Sequence, residues 1–508
     1  MRDSSRKGGR IGLTAASVFF AALPALCQVA PPAPLSLPTP LTLPEAIALA
    51  LRQQPQQYLA RTQVTQAQGQ KLQAQSQYFP TLTPAYQYQN NQENLYGLNS
   101  STPTIITTTG AGTGTTGTGT TTGTGTTTTG TTTTGTTTTT GTLGTTTSIL
   151  NSANEVSLVR GGGLTVSLSQ NLFDTGQREA ANTEARRAVD AAVYNDRNTS
   201  QTIILTVTQD YYQLLLNRDL VKVAQAQVAR YQQTVEVTQA QIDAGTTAAK
   251  DIYQANSDLA NAQVTLLNNQ NSVQTASATL KNALGVNLDG VVEIAPLTAG
   301  DQLPPVPSTG QALTLKDALA SAFADRPDLR QQQAVVQSNN AALRLAQREA
   351  GLTIKGDYII NYQATNDVGT RGVNSQLLVT GSYPLFDAGS ARGAIHIAQA
   401  ARDAALDQLE LVRQQVRLDV EQAYSTRQTN LQAAGLAQSA VTAAQVNYDA
   451  SVASRKEGIG TVLDITTAQA TLTQAQSQYV TAVYNFYIAD AQLQKAIGRN
   501  DSSLPPLR

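Results

Sequence analysis

The sequence predicts a mainly helical chain that also carries membrane-type β-strands, and three observations predict it. From Gln177 to Ala244 there is neither Pro nor Gly, and Val207, Leu214, Val221, Val228, Val235 and Ile242 fall every seventh residue along that run. This is the spacing of a coiled-coil seam, with the left-handed supercoil that a strict seven-residue repeat imposes. Segments of about ten residues elsewhere alternate apolar and polar side chains, as membrane-barrel strands do. The same motifs then recur at fixed offsets, so one unit is used twice.

The composition fits long helices better than a compact core. The 508 residues include 34 basic and 35 acidic side chains, so charge gives no sign of a nucleic-acid partner. Aromatics are only 5% of residues, and there is no Trp. Ala, Gln and Thr dominate, which suits helices that pack closely on one side and face water on the other. At the start, Arg2, Arg6, Lys7 and Arg10 precede an apolar stretch from Ile11 to Leu26, the pattern of a signal peptide over residues 1–27. Small residues at Ala25 and Cys27 favour cleavage before Gln28. A lipid-anchored Cys27 is the alternative, disfavoured by bulky Leu26 where a small residue is wanted. No later stretch approaches the roughly 20 apolar residues of a membrane-spanning helix, so a membrane crossing would have to be made by strands.

A Pro-rich lead-in (28–40) precedes the first repeat (41–285). It opens at Leu41-Thr42-Leu43-Pro44-Glu45, where Thr42 can cap a helix running to about Tyr78. A strand through Leu82, Tyr86 and Tyr88 follows, and its partner runs from Leu164 to Leu168. Between them lies a Thr/Gly-rich loop (101–147), β-branched and flexible with no apolar side to pack. It reads as a solvated insertion, with a glycosylated or adhesive tip as the alternative. Asp174 is placed to cap the long helix Gln177 to Asp243, which would span roughly 100 Å at about 1.5 Å per residue. A helix from Lys250 to Leu284 closes the repeat, and a linker (286–312) leads to the next.

The second repeat (313–498) reopens with Leu313-Thr314-Leu315, at an offset of 272 from Leu41. Leu385-Phe386-Asp387-Ala388-Gly389 repeats Leu172-Phe173-Asp174-Thr175-Gly176 at an offset of 213, and Tyr424, Gly458 and Asp464 repeat Tyr211, Gly245 and Asp251 at that same offset. Helices are expected from Leu315 to Ala350, Ser390 to Lys456, and Asp464 to Ile497, followed by a tail (499–508). Arg427 and Arg455 interrupt the heptad row of the long one. Leu352, Ile354, Tyr358, Ile360 and Tyr362 alternate with polar residues, and Leu377, Val379, Tyr383 and Leu385 continue the pattern on the return, past a loop from Thr365 to Asn374. An ordinary half-buried sheet is the alternative to a barrel; Lys355 and Asp357 opposite Tyr358 and Ile360 favour the barrel. Four strands fall short of the roughly eight a closed membrane barrel needs, so one chain cannot close it. The count calls for an oligomer.

In its duplicated unit, its paired Leu-Phe-Asp-x-Gly junctions and its paired Gly turns, the chain resembles the outer membrane factor family, the outer membrane efflux proteins typified by the tolerance-to-colicins channel. The resemblance covers nearly all of the chain beyond the signal. It implies a homotrimer in outer membrane lipid, its four strands per chain closing a twelve-stranded β-barrel that a long antiparallel α-helical coiled-coil barrel continues through the periplasm. The Thr/Gly tract and the loop from Thr365 would then face outside. A periplasmic adaptor (membrane fusion) protein and an inner-membrane pump would be the partners, docked at a tip formed by Gly245, Thr246, Thr247 and Asp251 and by Gly458, Ile459, Gly460 and Asp464. Three copies of Asp251 and Asp464 would set six carboxylates near the mouth and favour cations, while each Asp could equally cap its own helix. Relatives with a closed mouth latch it with an Arg at the position held here by Gly460, and a further acidic residue is replaced by Thr467.

An enzyme is the first rival reading. The single His, His396, sits on a helix among Ile395 and Ile397, and Cys27 falls in the signal region, so no nucleophile, metal site or cofactor site is indicated. A trimeric coiled-coil adhesin with the Thr/Gly tract as its stalk would not need strand pairs between helices. The expectation is a passive duct for small toxic molecules, with a type I protein-secretion duct as the alternative.

Overall fold

The computed structural model describes residues 40–93, 157–245, 248–286, 293–297, 303–306, 313–365, 371–457 and 459–499. The signal and lipidation assignments, Cys27 and the Thr/Gly loop lie outside them. In chain order the elements are α1 (Leu43–Gln53), α2 (Pro55–Ser76), β1 (Thr81–Glu93), β2 (Ser157–Phe173), α3 (Gln177–Asp243), α4 (Asp251–Leu284), α5 (Leu315–Asp325), α6 (Pro327–Glu349), β3 (Thr353–Thr365), β4 (Arg371–Ser382), α7 (Ser390–Lys456) and α8 (Val462–Ala496). They divide into a helical unit and a sheet unit.

The two runs free of Pro and interior breaks form α3 and α7, each 67 residues long with the bounds expected from the sequence. Their heptad rows face inward: Val207, Leu214 and Val228 are buried on α3, as are Val420 and Ala434 on α7. The two arginines that interrupt the second row form cross-links instead. Arg427 Nε donates to Asp490 at 2.5 Å and its guanidinium lies 5.2 Å from the Phe486 ring centre, both on α8. Arg455 donates to Gln241 of α3.

Two helices expected as single rods, Leu43 to Tyr78 and Leu315 to Ala350, are each broken in two. Gln54 and Arg326 precede Pro55 and Pro327, whose rings push the preceding residue out of helical backbone, to ψ 122 and ψ 125. Each proline then starts the next helix at the position that needs no N–H. The breaks are docking points. Gly285 and Gly498, left-handed at φ 70 and φ 76, end α4 and α8 against them; a Cβ there would lie 3.0 Å from the Gln53 carbonyl oxygen and 2.8 Å from the Asp325 carbonyl carbon. Gln54 Nε2 donates to the Ala283 carbonyl at 2.9 Å, and Arg326 Nη1 to that of Ala496 at 3.4 Å.

As expected from helix lengths, α2 and α4 share the length of α3, both antiparallel to it. Tyr78 reaches Glu179 at 3.1 Å and Gln57 reaches Asp196 at 2.7 Å. Asn269 of α4 reaches the Leu220 carbonyl at 3.3 Å further along. α3 also packs on α6 and α8, and α7 packs on those same two, giving the order α2/α4, α3, α6/α8, α7. The largest apolar cluster joins α1, α3, α4 and α8 around Leu214, Leu280, Leu284 and Tyr484. The linker adds Ile294, bridged in parallel to Leu41, with both side chains fully buried. Tyr211 donates to the Ala295 carbonyl at 3.1 Å and Tyr479 to that of Pro304 at 2.6 Å, so the linker is strapped to the helices.

The sheet has four strands in the order β1-β2-β3-β4. β1 and β2 are antiparallel, pairing Leu82 with Leu168, Pro84 with Val166 and Tyr86 with Leu164, so one face gathers the apolar side chains. Leu82, Tyr86, Leu164 and Leu168 of that face are exposed, Tyr86 to 70%, and so is Leu377 of β4, to 71%. The Tyr86 ring leans over Gly162, whose absent Cβ would lie 2.7 Å from the hydroxyl. β4 stops at Ser382, short of Tyr383 and Leu385, because Pro384 has no N–H to continue a ladder. β3 begins at Thr353, one residue after Leu352, and the strands take up half of the loop expected from Thr365 to Asn374, leaving 366–370 outside the described residues. β1 and β4 are both open edges of the sheet.

Candidate functional site

Two pairs of matched features carry the candidate site: the junctions that launch α3 and α7, and the turns that end them. At the first junction Asp174 is buried and accepts from the Gly176 N–H at 3.1 Å, the Arg178 N–H at 3.1 Å and Arg178 Nε at 2.6 Å. It caps α3 as expected. Asp387 does the same for α7, accepting from the Gly389 N–H at 3.0 Å and the Ala391 N–H at 2.8 Å. The turn between is left-handed at two successive residues in both copies: Thr175 (φ 56) with Gly176 (φ 85), and Ala388 (φ 52) with Gly389 (φ 91). A β-branched Thr in that region is strained, and the Asp hydrogen bonds hold it there.

The junctions differ in what covers them. Arg348 Nη1 donates to the Gly176 carbonyl at 2.9 Å, and Thr175 Oγ1 donates to the Leu352 carbonyl at 2.8 Å. At the second junction nothing lies within 4 Å of a Cβ built on Gly389, and Leu385 and Phe386 are 91% and 89% exposed. Phe173 and Leu172 are about half exposed, and Leu172 meets Gly356 of β3.

At the far ends, Gly245 (φ 74) closes α3 with its N–H donating to the Ile242 carbonyl at 2.9 Å, the left-handed helix stop expected there. Thr246, Thr247 and Gly458 lie outside the described residues. In the second turn Ile459 and Gly460 both donate to the Ser454 carbonyl at 3.1 Å. A Cβ on Gly460 would lie 3.0 Å from the Arg455 backbone nitrogen, so the turn folds back against α7 at a residue that carries no side chain. Arg455 Nη1 approaches the Gly460 carbonyl at 3.4 Å.

The two tip carboxylates do different jobs. Asp464 forms a reciprocal cap with Thr461: its carboxylate accepts from the Thr461 N–H at 2.8 Å and hydroxyl at 2.7 Å, and its own N–H donates to Thr461 Oγ1 at 3.2 Å. These bonds hold its pKa below the ordinary aspartate value. Asp251 is the first residue of α4, next to Lys250, with no cap formed by that lysine's side chain. Ile459, Leu463 and Tyr253 are exposed around the turns. The sequence reading missed Arg455; its place in the heptad row was the available signal. Among the described residues there is no group of acidic, His or Cys side chains able to hold a metal, and no helix is long and apolar enough to cross a membrane.

Long paired helices launched from a sheet with one exposed apolar face define an outer membrane channel fold. The family model for outer membrane efflux proteins matches residues 126–286 and 318–499, one segment in each repeat. The outer membrane efflux protein BepC of Brucella suis is 25% identical over 340 residues, covering 66% of this chain and 71% of BepC. The outer membrane protein TolC of Escherichia coli is 22% identical over 347 residues, covering 65% and 68%. The crystal structure of the outer membrane protein VceC from Vibrio cholerae superposes with a TM-score of 0.69 at 18% identity, covering 90% of this chain and 96% of that one. The chain belongs to the outer membrane efflux protein family. The members it matches are channels and not enzymes.

Proposed function

We propose that the chain is the outer-membrane duct of a tripartite export system, assembled as a homotrimer and carrying small toxic molecules outward from an inner-membrane pump and a periplasmic adaptor. The observation that carries this reading is an imbalance between the two repeats. α3 and α7 have equal length, yet 17 residues of α3 are buried against 6 of α7. α3 has neighbours on both sides and α7 on one. A second copy's α2 and α4 would supply the missing side, burying Ile397, Leu436 and Val446 of α7 against Leu59, Leu72 and Leu267, all exposed in the single chain. The same step would cover the bare Gly389 junction with the Ser76–Phe79 segment, which stands at the repeat position of Arg348–Gly351. The open edges β1 and β4 would pair in turn, and three copies would give the twelve-stranded barrel with its apolar face in lipid.

In this reading the helical unit stands in the periplasm and the Gly245 and Gly458 turns form the adaptor-facing mouth. Asp251 and Asp464 place carboxylates there, but Lys250, Arg455 and Lys456 stand beside them and Asp464 is occupied as a cap. The cation preference is therefore modest. Deleting the gene tests the cargo class. Small-molecule efflux predicts that cells lose resistance to several unrelated toxic compounds and regain it with the intact gene. Loss of one secreted protein from the medium, with resistance unchanged, would favour the protein-secretion duct instead.

A further inference from the structure

The two repeats share a fold but not the filling of their helix pairs. An open groove of about 730 Å³ runs between α7 and α8. Its apolar lining is alanine: Ala444 and Ala475 are buried at the floor, with Ala440 and Ala443 beside them. Its polar lining is Asn447, Thr471, Gln474 and Gln478, and no charged side chain borders it. The side-chain amides of Asn447, Gln474 and Gln478 have no hydrogen-bond partner among the described residues. Gln445, one turn away on α7, is by contrast tied to Asp449 at 3.0 Å.

Shifting the lining by the repeat offset of 213 shows what occupies the same place in the first repeat. Ala440, Ala443 and Ala444 stand where α3 carries Gln227, Arg230 and Tyr231, and Thr471 stands where α4 carries Asp258. Tyr231 is buried against Ala262, the counterpart of Ala475, with Leu259 and Leu266 packed around it. Arg230 reaches across to α8, where Nη2 donates to Thr473 Oγ1 at 3.2 Å. Three large side chains on α3 are thus three alanines on α7. A neighbouring copy brings little to replace them: the α4 residues at the repeat positions of Thr473 and Gln476 are Ala260 and Gln263.

The groove also faces away from the linker. α8 turns Tyr479, Val483 and Tyr487 toward Leu303 and Val306, and Tyr479 donates to the Pro304 carbonyl. At about 3.6 residues per turn, Thr471, Gln474 and Gln478 come out on the far side of the helix. In a closed tube the linker layer lies outside, because copies of it inside would block the bore, so the groove opens inward. We propose, resting on the duct reading above, that this groove is a cargo recess in the wall of the bore, one per copy. Its ligands are uncharged amphiphilic molecules of drug size, with a flat apolar body against the alanines and hydroxyl or amide groups toward Asn447, Gln474 and Gln478. The volume suits such a molecule. A lining with amides and no ion gives polar groups their hydrogen bonds but offers nothing to offset the desolvation of a charge.

Chloramphenicol, uncharged and carrying an aromatic ring and an amide, is a suitable probe, with its anionic succinate ester as the comparison. Equilibrium dialysis against the full-length protein in detergent is expected to show saturable chloramphenicol binding, one site per chain, and binding of the succinate at least about tenfold weaker. Ala444→Tyr copies the residue that fills the first repeat, and is expected to weaken chloramphenicol binding at least about tenfold by occupying the space. Gln474→Ala with Gln478→Ala leaves the space open and the floor untouched, and should weaken binding about three- to tenfold by removing hydrogen bonds. Single-channel recording of the same proteins separates the recess from the duct. Conducting trimers that bind no chloramphenicol saturably overturn the recess and leave the duct standing. Equal binding by the wild type and both variants, or succinate bound as tightly as chloramphenicol, also overturns the recess. Folded protein that neither trimerises nor conducts overturns both, since no bore is then left for the groove to line.

Discussion

Asp464 and Tyr484 show how single side chains fix the response to pH. The Asp464 cap depends on an ionised carboxylate whose pKa is depressed by bonds from Thr461. Its contribution is complete above the ordinary aspartate pKa and is lost as pH falls through the lower folded value. Asp464→Asn should therefore fray the first turn of α8 at neutral pH, seen as faster exchange of its first amides, and remove the acid sensitivity of that turn. At the alkaline end, burial pushes the Tyr212 phenol up to about 12 and also raises that of Tyr484, whose hydroxyl donates to Asp219 at 2.6 Å. Both contributions are complete below the ordinary tyrosine pKa of about 10 and fade as pH rises through the folded values. Thermal melting should fall across that window. Tyr484→Phe should cost about 1–2 kcal/mol at neutral pH by leaving Asp219 short of a donor, and should shrink the alkaline loss.

Elements were more legible in the sequence than their junctions. The bounds of α3 and α7 followed from an unbroken helical run between a capping Asp and a Gly stop, because those signals are local. Pro55 and Pro327 were equally visible, but what they do is not local: each break receives a glycine more than 170 residues away in sequence. The arginines that spoil the α7 heptad gave no hint that one bonds α8 and the other α3, since only packing brings those partners near. Glycine substitutions separate the two kinds of position. Gly498→Ala combines a left-handed backbone with a Cβ 2.8 Å from the Asp325 carbonyl carbon, and should cost more than about 1–2 kcal/mol. Gly69→Ala on α2 meets nothing within 4 Å and should gain about 0.5–1 kcal/mol, measured in the same melts.

For the whole molecule, the duplication and the strand count pointed to an oligomer before any packing was known. Alternating strands such as Leu82, Tyr86 and Tyr88 are readable one at a time, and their exposure on a common face in the fold agrees with the reading. The tip was less readable: Asp251 and Asp464 occupy matched positions and so read alike, and only the surrounding Thr461 and Lys250 separate them. The oligomer proposed above requires that copies of this chain close into a conducting duct. Single-channel recording of the purified, detergent-stable protein in a planar bilayer tests it most directly, with Asp464→Ala beside the wild type. A homotrimer is expected to give a steady conductance, with a modest cation preference that weakens only slightly in the variant. Folded protein that neither forms trimers nor conducts would contradict it.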